Sequence, residues 1–285
     1  MAENVEIFEV RPRDGLQNEK RLIPAAEKVA LVDLLSRAGY RRIEVASFVS
    51  PKWVPQMADS AQVLAGIRRV PGVRYAALAP NMRGYEGARA AKADEVAVFA
   101  SASEGFSKAN LNCTMDESVD RFRPILDAAR TDGLPVRGYI SCVTDCPFDG
   151  PTPPVAVAGL AAMLLELGCY EVSLGDTLGR ATPETITAML RAVLELVPAG
   201  KLAGHYHDTG GRACDNIAAS LDLGLRVFDA AVGGLGGCPY APGAQGNVAT
   251  EAAVARIEGL GFATGLDRQV IAEAAAMARK MREQQ

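Results

Sequence analysis

The sequence predicts an α/β protein, a (β/α)8 TIM barrel with its active site at the C-terminal face of the strands. Three observations lead there. The chain has 285 residues, enough for a barrel of about 250 residues and a short extension. Eight short β-rich apolar runs start roughly every 30 residues. The segments between them carry helical periodicity. A doubly wound open sheet shares the alternation of strand and helix, but the pace of the repeats and the length favour closure. One domain over 1–285 is expected, with the barrel at about 4–250 and C-terminal helices at about 250–283.

The runs lie at 5–10, 42–47, 74–79, 95–100, 136–141, 170–175, 202–207 and 227–232. Leu31, Leu34, Leu35 and Ala38 form one apolar helix face, which Gly39 should stop. Thr182 and Pro183 read as an N-cap and first-turn pair, and Ile186, Met189, Leu190, Val193 and Val197 continue one face. The proline-rich stretch 147–154 fits a βα loop. Trp53, between Pro51 and Pro55, is expected to anchor its loop by packing. Cys142 and Cys146 are expected to pack before they do chemistry.

Composition narrows the function. Thirty basic and 34 acidic residues give a net charge of −4, with no basic excess for nucleic acid. Six scattered cysteines form neither a disulfide framework nor a paired zinc site. The apolar run from Val155 to Leu165 is too short to span a bilayer. The opening Met1-Ala2-Glu3-Asn4 has no secretory or transit pattern, so a cytoplasmic location is expected.

Polar residues that a core does not need gather where the runs end. The only two histidines, His205 and His207, stand at i and i+2 and so share one strand face. They are either a hydrogen-bonded barrel pair or two ligands of one ion. Asp14, after the first run, and Asn247, after the eighth, could complete an octahedral N and O site for Mg²⁺ or Mn²⁺. Alternatively Asp14 is a turn residue before Gly15, and Asn247 a helix N-cap. Asp208 points away and reads as a cap or as a residue that supports the ligands from behind. Arg13 is either the cation of the barrel mouth or a surface arginine paired with an acid. Phe106 to Asn112 lines a channel or is an ordinary loop. Cys238 follows Gly233-Gly234-Leu235-Gly236-Gly237, a glycine density that predicts a mobile flap; its thiol is catalytic or inert.

Five motifs together resemble the 3-hydroxy-3-methylglutaryl-CoA lyase family. They are Glu9-Val10-Arg11-Pro12-Arg13-Asp14-Gly15-Leu16-Gln17-Asn18-Glu19-Lys20, Ser47 to Gln56, Ser173-Leu174-Gly175-Asp176-Thr177, His205-Tyr206-His207-Asp208-Thr209 and Gly234 to Tyr240. The likeness runs from about residue 4 to 265. It implies a metal-dependent barrel in a wider group that includes isopropylmalate and homocitrate synthases. It implies metal ligation by Asp14, His205, His207 and Asn247, with Mg²⁺ or Mn²⁺ as cofactor. Arg13 is implied to act on the acyl oxygen, and Cys238 to be the catalytic thiol of the flap. Glu44, Asp176 and Glu251 match acids that support the site. Gln17, Asn18, Lys20, Asn110, Ser141 and Asp176 match positions that meet the acyl-CoA substrate or its entrance.

The chemistry implied is cleavage of 3-hydroxy-3-methylglutaryl-CoA to acetyl-CoA and acetoacetate, a step of leucine degradation and ketone body formation. Asp14 or His205 takes the hydroxyl proton. The absence of a mitochondrial leader, C-terminal extension and peroxisomal ending points to a bacterial cytoplasmic enzyme without regulation through a C-terminal cysteine. A homodimer or higher homo-oligomer is expected, with no nucleic acid or membrane partner. Three alternatives remain: a lyase for a bulkier 3-hydroxy-3-alkylglutaryl-CoA, a condensing acyltransferase of the same superfamily, and a metal-binding barrel without activity.

Overall fold

A computed structural model describes residues 2–234, 236 and 246–283. Eight parallel strands close into a barrel: β1 (Glu6–Glu9), β2 (Arg42–Ser47), β3 (Arg74–Leu78), β4 (Glu95–Ser101), β5 (Val136–Ser141), β6 (Glu171–Asp176), β7 (Leu202–Tyr206) and β8 (Val227–Ala230). The last strand pairs with the first, from Glu6 opposite Val227 to Glu9 opposite Ala230, which removes any free edge. All eight expected runs are strands. The first and last are shorter than read, because the chain turns at Val10 to form a π-helical turn over Arg11–Gly15, and Ala231 leaves β8 to bridge Ala249.

The helices surround the barrel: α1 (Ala25–Leu35), α2 (Ser60–Gly66), α3 (Met82–Ala90), α4 (Glu104–Leu111), α5 (Met115–Asp132), α6 (Pro154–Leu167), α7 (Pro183–Leu194), α8 (Ala213–Asp222), α9 (Thr250–Gly259) and α10 (Arg268–Glu283). Thr182 caps α7 in a reciprocal capping box with Thr185, and Pro183 occupies the first turn. Ile186, Met189, Leu190, Val193 and Val197 are all buried, as their spacing predicts. Helix α1 ends at Leu35, and Gly39 takes a positive φ of 95° just beyond it.

The proline-rich stretch lies within the connection from β5 to α6, where Asp145–Cys146 and Gly150–Pro151 make a small antiparallel hairpin. Cys142 and Cys146 are buried with Phe106, as expected of packing residues. The segment 106–112 is no loop: most of it is α4, ended by Asn112 in the left-handed conformation. Trp53 departs from its expected role. It is 79% exposed, because the turn at Ser50 carries it outward rather than onto the core.

The large apolar cluster joins outward strand residues to the helices, whereas Leu78, Ala97 and Tyr139 form a separate small cluster with Phe99. Charged side chains are buried as well, notably Arg42, Glu44, Arg137 and Asp229. Strand alternation sets this division. On β7, Tyr206 reaches Ser220 of α8, while His205 on the opposite face meets Asp229 of β8.

Candidate active site

Strand β1 delivers Arg13 and Asp14 through a tight turn. The Val10 carbonyl accepts from the amides of Arg13, Asp14 and Gly15 at 3.2, 2.8 and 3.2 Å. Strand β7 delivers His205 and carries His207 one residue past its end. The chain returns after β8 to place Asn247 beside His207 as a β-bridge partner. Asn247 Nδ2 then donates to Asp14 Oδ2 at 2.6 Å. Asn247 is therefore not a helix cap: α9 is capped by Ala249. Nor is Asp208 part of the cluster, since its carboxylate accepts from the Ala213 amide at the start of α8.

The close fit needs two glycines. A Cβ on Gly236 would lie 2.6 Å from Asn247 Nδ2, and its φ is +116°. A Cβ on Gly246 would lie 2.4 Å from the Gly236 backbone. No L side chain is accommodated at either position.

Among the described residues, Asp14, His205 and His207 form a possible metal-holding group, with ligand atoms all within 4.8 Å of one another. His205 Nε2 lies 3.4 Å from His207 Nε2 and 3.9 Å from Asp14 Oδ2. The other ring nitrogen of His205 meets Asp229 Oδ2 at 3.0 Å. An ionised carboxylate only accepts, so Nδ1 carries the proton and Nε2 offers its lone pair. Burial and the neighbouring His205 push His207 down to about 4, so its ring is neutral. Two imidazoles and a carboxylate converging on one point suit a divalent cation. The residues present therefore fit a metal ion.

Burial alone would raise the Asp14 carboxyl, but Arg13 and the two imidazoles outweigh it and hold it low. Burial would likewise lower His205, yet the Asp229 contact and Asp14 raise it. Arg13 is clamped from both sides: Nε and Nη2 meet Glu44 Oε2 at 2.7 and 2.6 Å, and Nη1 donates to Asp14 Oδ1 at 2.6 Å. Glu44 is fully buried, which raises its carboxyl despite Arg13. Burial also opposes the Arg13 charge, but Glu44 and Asp14 more than compensate, so the guanidinium is firmly cationic. Arg13 is thus the mouth cation and not a surface arginine.

The remaining expected residues are spread more widely. Gln17, Asn18 and Lys20 line a cavity of about 260 Å³ together with Trp53, Val54 and Gln56. Ser141 ends β5, half-buried, and Asn110 is exposed near the end of α4. Asp176 turns to the backbone, accepting from the amides of Gly179 and Ala181 at 3.1 and 3.0 Å. Glu251, in the first turn of α9, accepts from the Gly233 amide at 2.9 Å. Cys238 lies outside the described residues.

Two residues absent from the sequence reading belong to the site. Asp229 supports His205, and Glu9 ties the β1 turn to its surroundings through Arg11, Tyr40, Val232 and Thr250. Asp229 is the lone acid of the apolar strand Val227-Phe228-Asp229-Ala230, and Glu9 stands between the apolar Phe8 and Val10. That signal was present, because an isolated buried charge requires a partner.

The chain is 56% identical over 274 residues to a Pseudomonas aeruginosa protein named 3-hydroxy-3-isohexenylglutaryl-CoA/hydroxy-methylglutaryl-CoA lyase, covering 96% of this chain and 91% of the relative. The crystal structure of an HMG-CoA lyase from Brucella melitensis superposes with a TM-score of 0.97 at 63% identity, covering 99% of this chain and all of that one. An HMG-CoA lyase of A. baumannii, solved with coenzyme A and 3-methylmalate, superposes with a TM-score of 0.94 at 36% identity over 98% and 92% of the two chains. Residues 4–278 match the family described as HMGL-like, and the chain belongs to that family.

Proposed function

We propose that the protein is a hydroxymethylglutaryl-CoA lyase, which cleaves 3-hydroxy-3-methylglutaryl-CoA to acetyl-CoA and acetoacetate. The observation that carries this reading is the convergence of Asp14, His205 and His207 beside the clamped Arg13, in a chain whose relatives carry that name.

The reaction is a retro-Claisen cleavage. The C3 hydroxyl loses its proton, the C2–C3 bond breaks, C3 becomes the ketone of acetoacetate, and C2 leaves as the enolate of a thioester. Asp14, His205, His207 and Asn247 would hold Mg²⁺ or Mn²⁺. Such an ion, when bound, supplies Lewis-acid polarisation of the hydroxyl and a neighbouring carboxyl oxygen.

The other roles fall to side chains. The hydroxyl proton passes to Asp14, because His205, with Nδ1 protonated against Asp229 and Nε2 turned to the ion, has no lone pair left to take it. Arg13 has five N–H donors, and three of them are engaged by Glu44 and Asp14. The remaining two can meet the thioester oxygen as its charge grows, in an orientation already set before substrate arrives. Cys238 gives its thiol proton to C2, completing acetyl-CoA. Gln17, Asn18 and Lys20, on the cavity beside the β1 turn, would receive the coenzyme A portion.

The Pseudomonas relative's name supports a second reading, a site that also accepts a longer alkyl group at C3. Cys113, Cys146, Cys169 and Cys214 carry free thiols, which suits a reducing cytoplasm. Incubation with 3-hydroxy-3-methylglutaryl-CoA and Mg²⁺ tests the proposal. Acetoacetate and acetyl-CoA should appear in equal amounts, and neither should form with chelator present. Acetyl-CoA consumption instead of release would identify a condensing enzyme. Faster turnover of the 3-isohexenyl substrate would favour the second reading.

A further inference from the structure

A continuous line of ion pairs crosses the barrel interior and ends on His205. At its far end Arg42 Nε donates to Glu6 at 2.6 Å. Arg42 also grips Glu171, with Nη1 and Nη2 at 2.9 and 3.3 Å from its two oxygens. Arg137 Nε donates to Glu171 Oε1 at 2.7 Å. The fork of Arg137 then holds both oxygens of Asp229, at 3.0 and 2.7 Å. Asp229 Oδ2 also accepts from Ser173 Oγ at 2.7 Å and faces His205 Nδ1 at 3.0 Å. Both guanidinium groups lie over the Phe8 ring, Arg42 at 5.0 Å and Arg137 at 4.4 Å.

Arg137 is fully buried and Asp229 is 1% exposed. Stability does not require such a line, since buried ion pairs are often no better than well-packed apolar residues of similar volume. Its geometry has a different consequence. A bidentate fork prevents the Asp229 carboxylate from rotating. A fixed carboxylate fixes both the ring plane and the tautomer of the histidine that donates to it, and outer groups of this kind tune metal affinity.

We propose that Arg137 and Asp229 are positioning residues of the metal centre. Arg137 locks Asp229, and Asp229 keeps the proton of His205 on Nδ1, so that Nε2 stays free for the ion. Glu171 and Arg42 brace Arg137 from the opposite end of the barrel. The inference rests on the metal-site reading above.

The test does not depend on turnover. With only two histidines in the chain, the ¹⁵N imidazole spectrum of Mg²⁺-saturated protein contains two rings. The His205 proton is expected on Nδ1. Mn²⁺ affinity, measured by the EPR signal of the free ion, should weaken about 10- to 100-fold in Asp229→Asn. Arg137→Lys, which keeps the charge and loses the fork, should weaken it about tenfold, with circular dichroism showing both variants folded. Affinities within twofold of wild type in both folded variants would overturn the proposal and leave the metal site standing. A His205 proton on Nε2 in the wild type would overturn it without any variant. Failure of the wild type to bind Mn²⁺ would instead remove the metal reading, and the proposal with it.

Discussion

The carboxylate of Asp14, on the turn after the first strand, lies 3.9 Å from Nε2 of His205 in the seventh. Closure of the barrel produces this meeting. Strand β8 pairs with β1 on one side and with β7 on the other, so the start of the chain and its last third share one rim. The chemistry proposed for the site depends on that contact.

Arg13→Lys should lower kcat about 100- to 1,000-fold, the loss expected when a preorganised donor to a developing oxyanion is removed. An ammonium group cannot meet Glu44, Asp14 and a substrate oxygen in one plane. Steady-state kinetics with a saturating metal ion check this. A variant with near wild-type kcat would show that the guanidinium fork is not needed.

Cys238→Ser should reduce kcat by about 10²- to 10⁴-fold through loss of the general acid, since a hydroxyl is far weaker in that role at neutral pH. Mn²⁺ affinity should be unchanged, because the thiol is not among the implied ligands. Parallel measurement of turnover and metal binding separates the two effects. Unchanged turnover would remove the thiol from the mechanism.

Stability should depend on pH through Glu9. Burial raises its carboxyl from the ordinary 4.5 to about 7, against four hydrogen bonds that lower it. Because the folded chain keeps a proton that the unfolded chain releases, this contribution is complete below pH 4.5 and is lost as pH rises to about 7. The loss amounts to about 3 kcal/mol. Urea unfolding at pH 4.5 and pH 8 should show that decline in the wild type and a smaller one in Glu9→Gln. Equal declines in both would show that Glu9 is not the group responsible.

Much of the fold was legible because each strand is short, apolar and followed by a helix with its own start signal, as at Thr182-Pro183. The histidine pair was legible because alternation on a strand places i and i+2 together whatever surrounds them. Asp14 and Asn247 were legible only as candidates. Closure brings the ends of the first and eighth runs together, while each residue alone also reads as a turn residue or a cap, and no local rule joins residues 233 positions apart. A large aromatic between two prolines predicts packing on the core, whereas the turn points Trp53 into solvent beside the Lys20 cavity. Asp229 and Arg137 are hard to read from sequence because each is a single charge in an otherwise uncharged strand. Only the closed barrel pairs them.

The central claim is that Asp14, His205 and His207 hold one divalent ion. Anomalous diffraction from crystals soaked in Mn²⁺ tests it most directly. A strong peak in contact with His205 Nε2, His207 Nε2 and an Asp14 oxygen is the predicted result. A fully soaked crystal with no peak among these three side chains would contradict it.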